Sequence, residues 1–248
     1  MSIIRPYHRR CNHGRPHYGR PYTYGSPPTS TPNPLLDDLI AYWKLDEADG
    51  LTREDSVGSF DLTDNNTVLQ TSGKLGNAIL LTAANTEYLS FATAGNLNPP
   101  TGSFAMTGWL SVNSVPAVSV PVAVWRTAGN KRCWSVDLQN GTNNLRILCS
   151  PTGISGATVK KATHPTTITT VGDNPWYFFA WGYDADASKI WININNGTEV
   201  TTSSARPAQK TIPFNLGAID GASTWDGRMD DVGFWNRNLT ADEQTEMY

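Results

Sequence analysis

Trp176-Tyr177-Phe178-Phe179-Ala180-Trp181-Gly182-Tyr183 is the stretch on which the fold turns. Successive side chains of a β-strand point to opposite faces. Both alternating sets here are aromatic or small, so the segment reads as a central strand covered on both sides. It leads into Lys189-Ile190-Trp191-Ile192-Asn193-Ile194, which alternates, and then into Asn195-Asn196-Gly197 ahead of residues 198–200. Asn-Gly between alternating runs is the strongest short hairpin signal.

Outward from that hairpin the same pattern recurs. Residues 40–45, 78–81, 88–91, 104–112, 133–138, 145–149 and 228–235 are short apolar or alternating runs separated by Gly, Asn, Asp, Pro and Thr. On 133–138, Trp134, Val136 and Leu138 share one face, and Asn140-Gly141 or Asn143-Asn144 would form the turn to 145–149. Many short strands with turn signals between them predict an all-β protein. The one helix expected is short and C-terminal, with Thr240 and Glu243 at capping-box spacing. A chain of 248 residues is accommodated by a single large sandwich.

Residues 1–34 have a different composition. They contain seven prolines, four tyrosines (Tyr7, Tyr18, Tyr22, Tyr24) and five arginines (Arg5, Arg9, Arg10, Arg15, Arg20), with no Lys, Asp or Glu. Of the chain's 19 basic and 22 acidic side chains, the remainder from residue 35 onward keeps 14 and 22, a net charge of −8 against +5 in the arm. Proline fixes φ and removes a backbone donor, and no hydrophobic periodicity accompanies these residues, so an extended interaction arm is expected for 1–34 and a sandwich for 35–248. His8, Cys11, His13 and His17 are soft metal ligands, but their spacing fits no standard zinc finger. Arginine with interleaved tyrosine also suits single-stranded nucleic acid, although the acidic body opposes it.

The three cysteines, Cys11, Cys133 and Cys149, do not make the even set of a secreted disulfide scaffold. Cys133 and Cys149 would either face each other across a hairpin or remain buried thiols. The start, MSIIRPYHRRC, shows no apolar signal-peptide core, and no apolar run approaches the ~20 residues of a membrane span. Synthesis in a cytoplasm without membrane insertion is expected. The sequons at Asn65, Asn140, Asn196 and Asn238 then read as turn residues.

Several segments together resemble the laminin G-like, concanavalin A-type family: residues 41–47 (AYWKLDE), 55–58 (DSVG), 74–78 (KLGNA), Trp176-Tyr177, 190–197 (IWININNG) and 227–240 (GRMDDVGFWNRNLT). The resemblance spans about 40–248 and implies a jelly-roll sandwich of two antiparallel sheets with its terminal strands adjacent. It also implies a calcium site for which Asp55 and Asp230 match carboxylate positions, calcium taking oxygen ligands. Asp55 alternatively caps a turn. Glucan-cleaving relatives carry Glu-x-Asp-x-x-Glu, placing paired carboxylates on one strand face. Here Glu47 and Asp49 fill the first two positions and Thr52 the third, so catalysis is not expected; His164, before Pro165, has no Ser or Cys motif beside it.

Trp125, Trp134 and Trp225 border Gly/Asn/Thr-rich stretches. Trp125 and Trp225 are the candidates for stacking on a sugar, whereas Trp134 suits core packing. The function expected is that of a non-enzymatic virion component of a bacteriophage (capsid decoration, head fibre or tail protein). Its arm would dock onto other virion subunits in a multimeric assembly. The alternative is a carbohydrate-binding module or adhesin recognising surface glycans, and a weaker third is a degenerate glycosidase.

Overall fold

The computed structural model describes residues 33–99, 101–115, 119–170 and 175–248. The arm residues named above, from Arg5 to Tyr24, and the His8/Cys11/His13/His17 set lie outside the described residues. Among the described residues the strands are β1 (Leu39–Trp43), β2 (Thr63–Asn65), β3 (Leu69–Ser72), β4 (Asn77–Leu81), β5 (Tyr88–Phe91), β6 (Phe104–Val112), β7 (Ser119–Arg126), β8 (Lys131–Leu138), β9 (Asn144–Cys149), β10 (Lys160–Thr167), β11 (Tyr177–Asp184), β12 (Lys189–Ile194), β13 (Val200–Ser203), β14 (Phe214–Leu216) and β15 (Gly227–Trp235), followed by helix α1 (Ala241–Met247).

They form two antiparallel sheets packed as a sandwich. The eight-stranded sheet runs β13-β12-β11-β6-β15-β4-β3 with β1 also on β15, and the seven-stranded sheet runs β10-β9-β8-β7-β14-β5-β2. β15 is the axis of the first sheet. One of its edges pairs with β6, whereas the other pairs with β4 through Gly227–Met229 and with β1 through Val232–Trp235. The exchange of partners coincides with a register shift after Asp230, where Asp231 adopts φ 46°.

Period-two alternation divides β11 as expected. Tyr177, Phe179, Trp181 and Tyr183 enter the main core, while Phe178 and Ala180 join Ala105, Trp109, Trp191, Trp235 and Leu239 in a second cluster on the sheet's other face. Between the sheets an aromatic spine joins Trp134 and Phe214 of the seven-stranded sheet to Trp181, Phe104, Phe234 and Trp43 of the other. The Trp134–Trp181 centroids are 4.5 Å apart, Phe104–Phe234 stack at 5.7 Å and Trp43–Phe214 at 5.4 Å. Such pairs add to the stabilisation from buried area alone. Cys133 and Cys149 are buried free thiols, and burial pushes them up to about 12 and about 11, which leaves them unreactive.

The hairpin after Ile194 forms through left-handed Asn195 and Asn196, at φ 54° and 51°. Pairing resumes only at Val200, opposite Ile192, so the strand expected at 198–200 starts later. His164 lies in the edge strand β10, where Pro165 is tolerated because only β9 pairs with it. The capping box at α1 is present, Thr240 accepting from the Glu243 amide and Glu243 accepting from the Thr240 amide.

Gly182 marks the tightest crossing on the outer face of β11, since a Cβ there would lie 2.4 Å from Phe104 O and 2.9 Å from the Trp191 ring. Gly182→Ala is expected to lower stability by about 1–3 kcal/mol through overpacking, and Trp181→Ala by about 3–5 kcal/mol through the cavity it leaves. Urea unfolding followed by tryptophan fluorescence measures both. A Gly182→Ala protein as stable as wild type would mean that β6 and β11 do not approach this closely.

Candidate functional site

The second apolar cluster needs a cover, and the chain's own ends supply part of it. Helix α1 lies across the outer face of the eight-stranded sheet. Asn193 Nδ2 donates to Gln244 Oε1 at 3.0 Å, Asn196 Nδ2 to Thr245 Oγ1 at 3.0 Å, and Tyr248 stacks on Trp109 at 5.8 Å. The segment before β1 is tied down from the same side: Trp235 Nε1 donates to Leu35 O at 2.8 Å and Arg237 Nη2 to Pro34 O at 2.7 Å. Arg237 also grips Glu243 with two bonds of 2.9 and 2.7 Å, and this holds the Glu243 carboxyl below its usual range.

A groove of about 530 Å³ remains between the two covers. Its floor is aromatic, formed by Trp109, Phe178 and Trp235. Tyr42, Thr107, Asp231 and Glu246 bring hydroxyl and carboxylate groups, and Leu36, Val57 and Leu75 form an apolar lip. These last three are exposed at 66, 47 and 63 %, so the lip offers a hydrophobic patch to solvent. That volume falls within the ~300–1,000 Å³ usual for ligand sites.

One wall depends on the bulge in β15. Asp230 is fully buried and its Oδ2 accepts the amides of Lys74 and Leu75 at 2.7 and 3.0 Å, which fixes the β3–β4 turn. Leu75 of that turn forms part of the lip, and the Lys74 ammonium sits 4.1 Å from the Trp109 ring centroid. Asp231, the next residue, accepts a short hydrogen bond from the Tyr42 hydroxyl. Burial raises both the Asp231 carboxyl and, far more, the Tyr42 phenol; the hydrogen bond between them adds to the phenol's rise and partly offsets the carboxyl's.

The residues singled out in the sequence are distributed differently. Trp225 is fully buried in the main core, so the expectation of an exposed sugar-stacking ring there is corrected: its amide donates to Gly217 O at 2.8 Å, and its ring fills the sandwich interior ahead of β15. Trp134 is buried in the aromatic spine. Trp125 lies on the outer face of the seven-stranded sheet with Ala123 and Leu148, but Val159 and Ile219 pack against it and leave it 8 % exposed. Asp55 caps its own turn, accepting from Tyr42 N and Val57 N through Oδ1 at 2.9 and 3.0 Å and from Phe60 N through Oδ2 at 3.1 Å. A calcium ion at Asp55 or Asp230 would compete with these amides. Among the described residues no group of three or more His, Cys, Asp or Glu side chains is placed to hold a metal ion. Glu47 and Asp49 serve local structure, accepting the amides of Glu54 and Gln70 at 2.8 and 2.5 Å.

The arrangement defines a β-sandwich with an open groove on its outer face, whose exposed apolar lip of Leu36, Val57 and Leu75 lies above the nearly buried rings of Trp109, Phe178 and Trp235. Residues 83–243 match the sequence profile of the concanavalin A-like lectin/glucanases superfamily of laminin G type, and the chain belongs to that superfamily. No curated protein sequence matches it. Among solved structures it is similar to domain 4 of an extracellular arabinanase from Geobacillus stearothermophilus, solved with arabinotriose: 15 % identity and TM-score 0.62 over 85 % of this chain and 98 % of that one. It is also similar to the binding domain of Paraclostridial Mosquitocidal Protein 1 (15 %, TM-score 0.66, 85 % of this chain) and to the receptor-binding domain of botulinum neurotoxin type G (14 %, TM-score 0.63, 86 %). The chain spans about half of each of those two, 51 % in both cases.

Burial pushes the Asp230 carboxyl up to about 6, and the Leu75 amide pulls against that rise. In the unfolded chain an aspartate titrates near ~3.9. Between those values the folded state binds the extra proton, so this group's contribution to stability falls as pH rises through the window from about 4 to 6 and is level above it. Asp230→Asn is expected to flatten the stability–pH curve across that window. A mutant curve parallel to that of wild type would assign the titration to another group.

Proposed function

We propose that this chain is a non-catalytic recognition module that binds a carbohydrate receptor in the groove on the outer face of its eight-stranded sheet. The observation that carries the reading is one open cleft in which the exposed apolar lip of Leu36, Val57 and Leu75 meets the hydroxyl and carboxylate groups of Tyr42, Thr107, Asp231 and Glu246 above the nearly buried rings of Trp109, Phe178 and Trp235. Sugars present an apolar ring face and polar edges, which is the chemistry of an apolar surface with polar groups beside it. Similar sandwiches lend support, one solved with arabinotriose and one, the binding domain of botulinum neurotoxin DC, solved with SialylT. The non-catalytic part rests on Glu47 and Asp49, whose carboxylates accept backbone amides, and on Thr52 in place of a third acid. The carboxylates of Asp231 and Glu246 are offset in part by the Lys74 ammonium over Trp109, so a neutral sugar is the expected ligand.

A glycan array screened with the full chain, followed by titration of the best neutral oligosaccharide, tests the proposal. Leu75→Asp on the exposed lip and Trp109→Ala on the floor are each expected to weaken binding about tenfold or more, equivalent to ~1.4 kcal/mol. Leu75→Asp should leave the melting temperature unchanged, since its side chain is largely exposed. If no neutral glycan binds, or if both variants bind as wild type does, the groove is not the site.

A second reading concerns where the module is carried. The segregation of five arginines and four tyrosines into residues 1–34, ahead of an acidic body, favours an anchoring arm in a multimeric assembly such as a phage virion. Arginine pairs bidentately with carboxylates, and preset proline conformations reduce the entropy lost on docking. Deleting residues 2–32, which spares Asn33 and Pro34 beside the groove, is expected to abolish incorporation into the assembly while leaving the sandwich folded. Normal incorporation of the deleted chain would overturn this reading.

A further inference from the structure

A second concavity lies where two crossovers between the sheets meet. Residues 92–103 carry the chain from β5 of the seven-stranded sheet to β6 of the eight-stranded one, and residues 204–213 carry it back from β13 to β14. Neither crossover belongs to a sheet, yet each is pinned to the other. Ala94 N donates to Ile212 O at 2.8 Å, Asn98 Nδ2 to Ala208 O at 3.1 Å, and Arg206 Nη1 and Gln209 Nε2 reach Pro99 O at 2.9 and 3.2 Å. Ala208 N donates in turn to Ser150 O at 2.9 Å, tying the pair to the end of β9. Loops braced in this way offer a preformed surface, which lowers the ordering cost of binding.

Between them is a pocket of about 200 Å³ lined by Thr93, Gly95, Asn98, Gln209, Lys210 and Thr211. Its chemistry differs from that of the groove: two hydroxyls, two carboxamides and one ammonium, with no carboxylate and no large apolar side chain among the lining residues. Asn98 is 3 % exposed, held between the crossovers. Gly95 leaves one side open, since a Cβ at that position would meet nothing within 4 Å. Lys210 lies against Gly153 of a third loop, where a Cβ would fall 2.5 Å from its Cε and 3.2 Å from its Nζ. None of the salt bridges formed among the described residues uses Lys210. Lys210 therefore lines the pocket, with its ammonium toward the Gly153 loop, and has no carboxylate partner among those residues.

We infer that this pocket binds a single acidic sugar residue, one bearing a carboxylate or sulfate group. Lys210 meets the charge, and the hydroxyls of Thr93 and Thr211 with the carboxamide oxygen of Gln209 meet the ring hydroxyls, the amide nitrogens of Asn98 and Gln209 being held by Ala208 O and Pro99 O. Charge-assisted bonds to an ammonium are shorter and stronger than neutral ones. A hydroxyl both donates and accepts, as a polyol requires. The volume suits one ring and not a chain. The inference stands on the pocket's own residues and does not depend on what the groove binds.

The test titrates the full chain, in isotope-detected NMR at constant ionic strength, with glucuronic acid, the methyl glycoside of N-acetylneuraminic acid, glucose and sodium sulfate as separate probes. The acidic sugars are expected to shift the amides of 93–98 and 209–211 and to bind at least about tenfold more tightly than glucose, in line with one charge-assisted bond. Lys210→Gln is expected to remove that preference, and Thr211→Val to weaken the acidic sugars but not sulfate. Leu75→Asp should change nothing at this pocket, which separates its outcome from that of the groove. Sulfate binding as tightly as the acidic sugars would make this a bare anion site and overturn the proposal. Equal binding by Lys210→Gln and wild type would overturn it as well.

Discussion

The bulge at Asp230–Asp231 is the constraint on which the rest of the eight-stranded sheet depends. β15 has one edge to share between two strands that arrive from different parts of the chain. β4 takes the first part and β1 the second, and at the junction the ladder has a gap with unpaired backbone groups on the β3–β4 turn. Unpaired buried amides are costly. The Asp230 carboxylate closes the gap by accepting two of them, at the expense of holding a buried carboxyl. The left-handed turn at Asp231 then aims its side chain at Tyr42 on β1. One irregular dipeptide therefore joins β1, β4 and the turn between β3 and β4, and one wall of the groove is a by-product of that joint.

The outer face of this sheet is apolar because the sheet's centre is aromatic on both sides. A sandwich usually exposes the far side of each sheet, and alternation hydrophobic-in, polar-out follows. Here Trp109, Phe178, Trp191 and Trp235 point away from the main core, so a third layer is needed. Helix α1 supplies it together with the segment before β1, and between them they leave Trp109, Phe178, Trp191 and Trp235 no more than 5 % exposed. The groove lies above these rings, between the two covers. A site made this way has a rigid floor, since its rings belong to the two most central strands and their neighbours.

Much of this architecture is legible in local sequence. β5, β6 and β12 follow directly from alternation, and the helix cap from the spacing of Thr240 and Glu243. β10 is not legible because its residues, KKATHPTT, are polar and interrupted by proline, and only an edge position makes them a strand. β2 and β3 are too short and too polar to show a period. The groove is hidden for a different reason. Tyr42 and Asp231 are 189 residues apart in sequence, and only tertiary pairing brings them together. The aromatic alternation of β11 announces two buried faces, but not that the chain's own two ends would supply the cover of one of them. Trp225 shows the converse error: polar neighbours in sequence suggested exposure, whereas the ring turns inward once β15 is laid down.

The pairing of β1 with β15 also sets how the molecule carries load. Leu39 opposes Trp235 at one end of the ladder and Trp43 opposes Val232 at the other. The chain enters the ladder at Leu39 and leaves it at Trp235, so its two tethers emerge side by side once the bonds of Leu35 to Trp235, Pro34 to Arg237 and Gln244 to Asn193 are released. Hydrogen bonds in an antiparallel pair run perpendicular to the strands. A pull between the tethers therefore peels the ladder open one rung at a time, as a zipper opens, instead of shearing all rungs together. A pull through the N-terminal tether alone, balanced by a ligand held on the sheet face, loads β1 lengthwise and engages every rung at once. The ladder is mechanically soft when opened from its Leu39–Trp235 end and stiff when β1 is drawn lengthwise along β15.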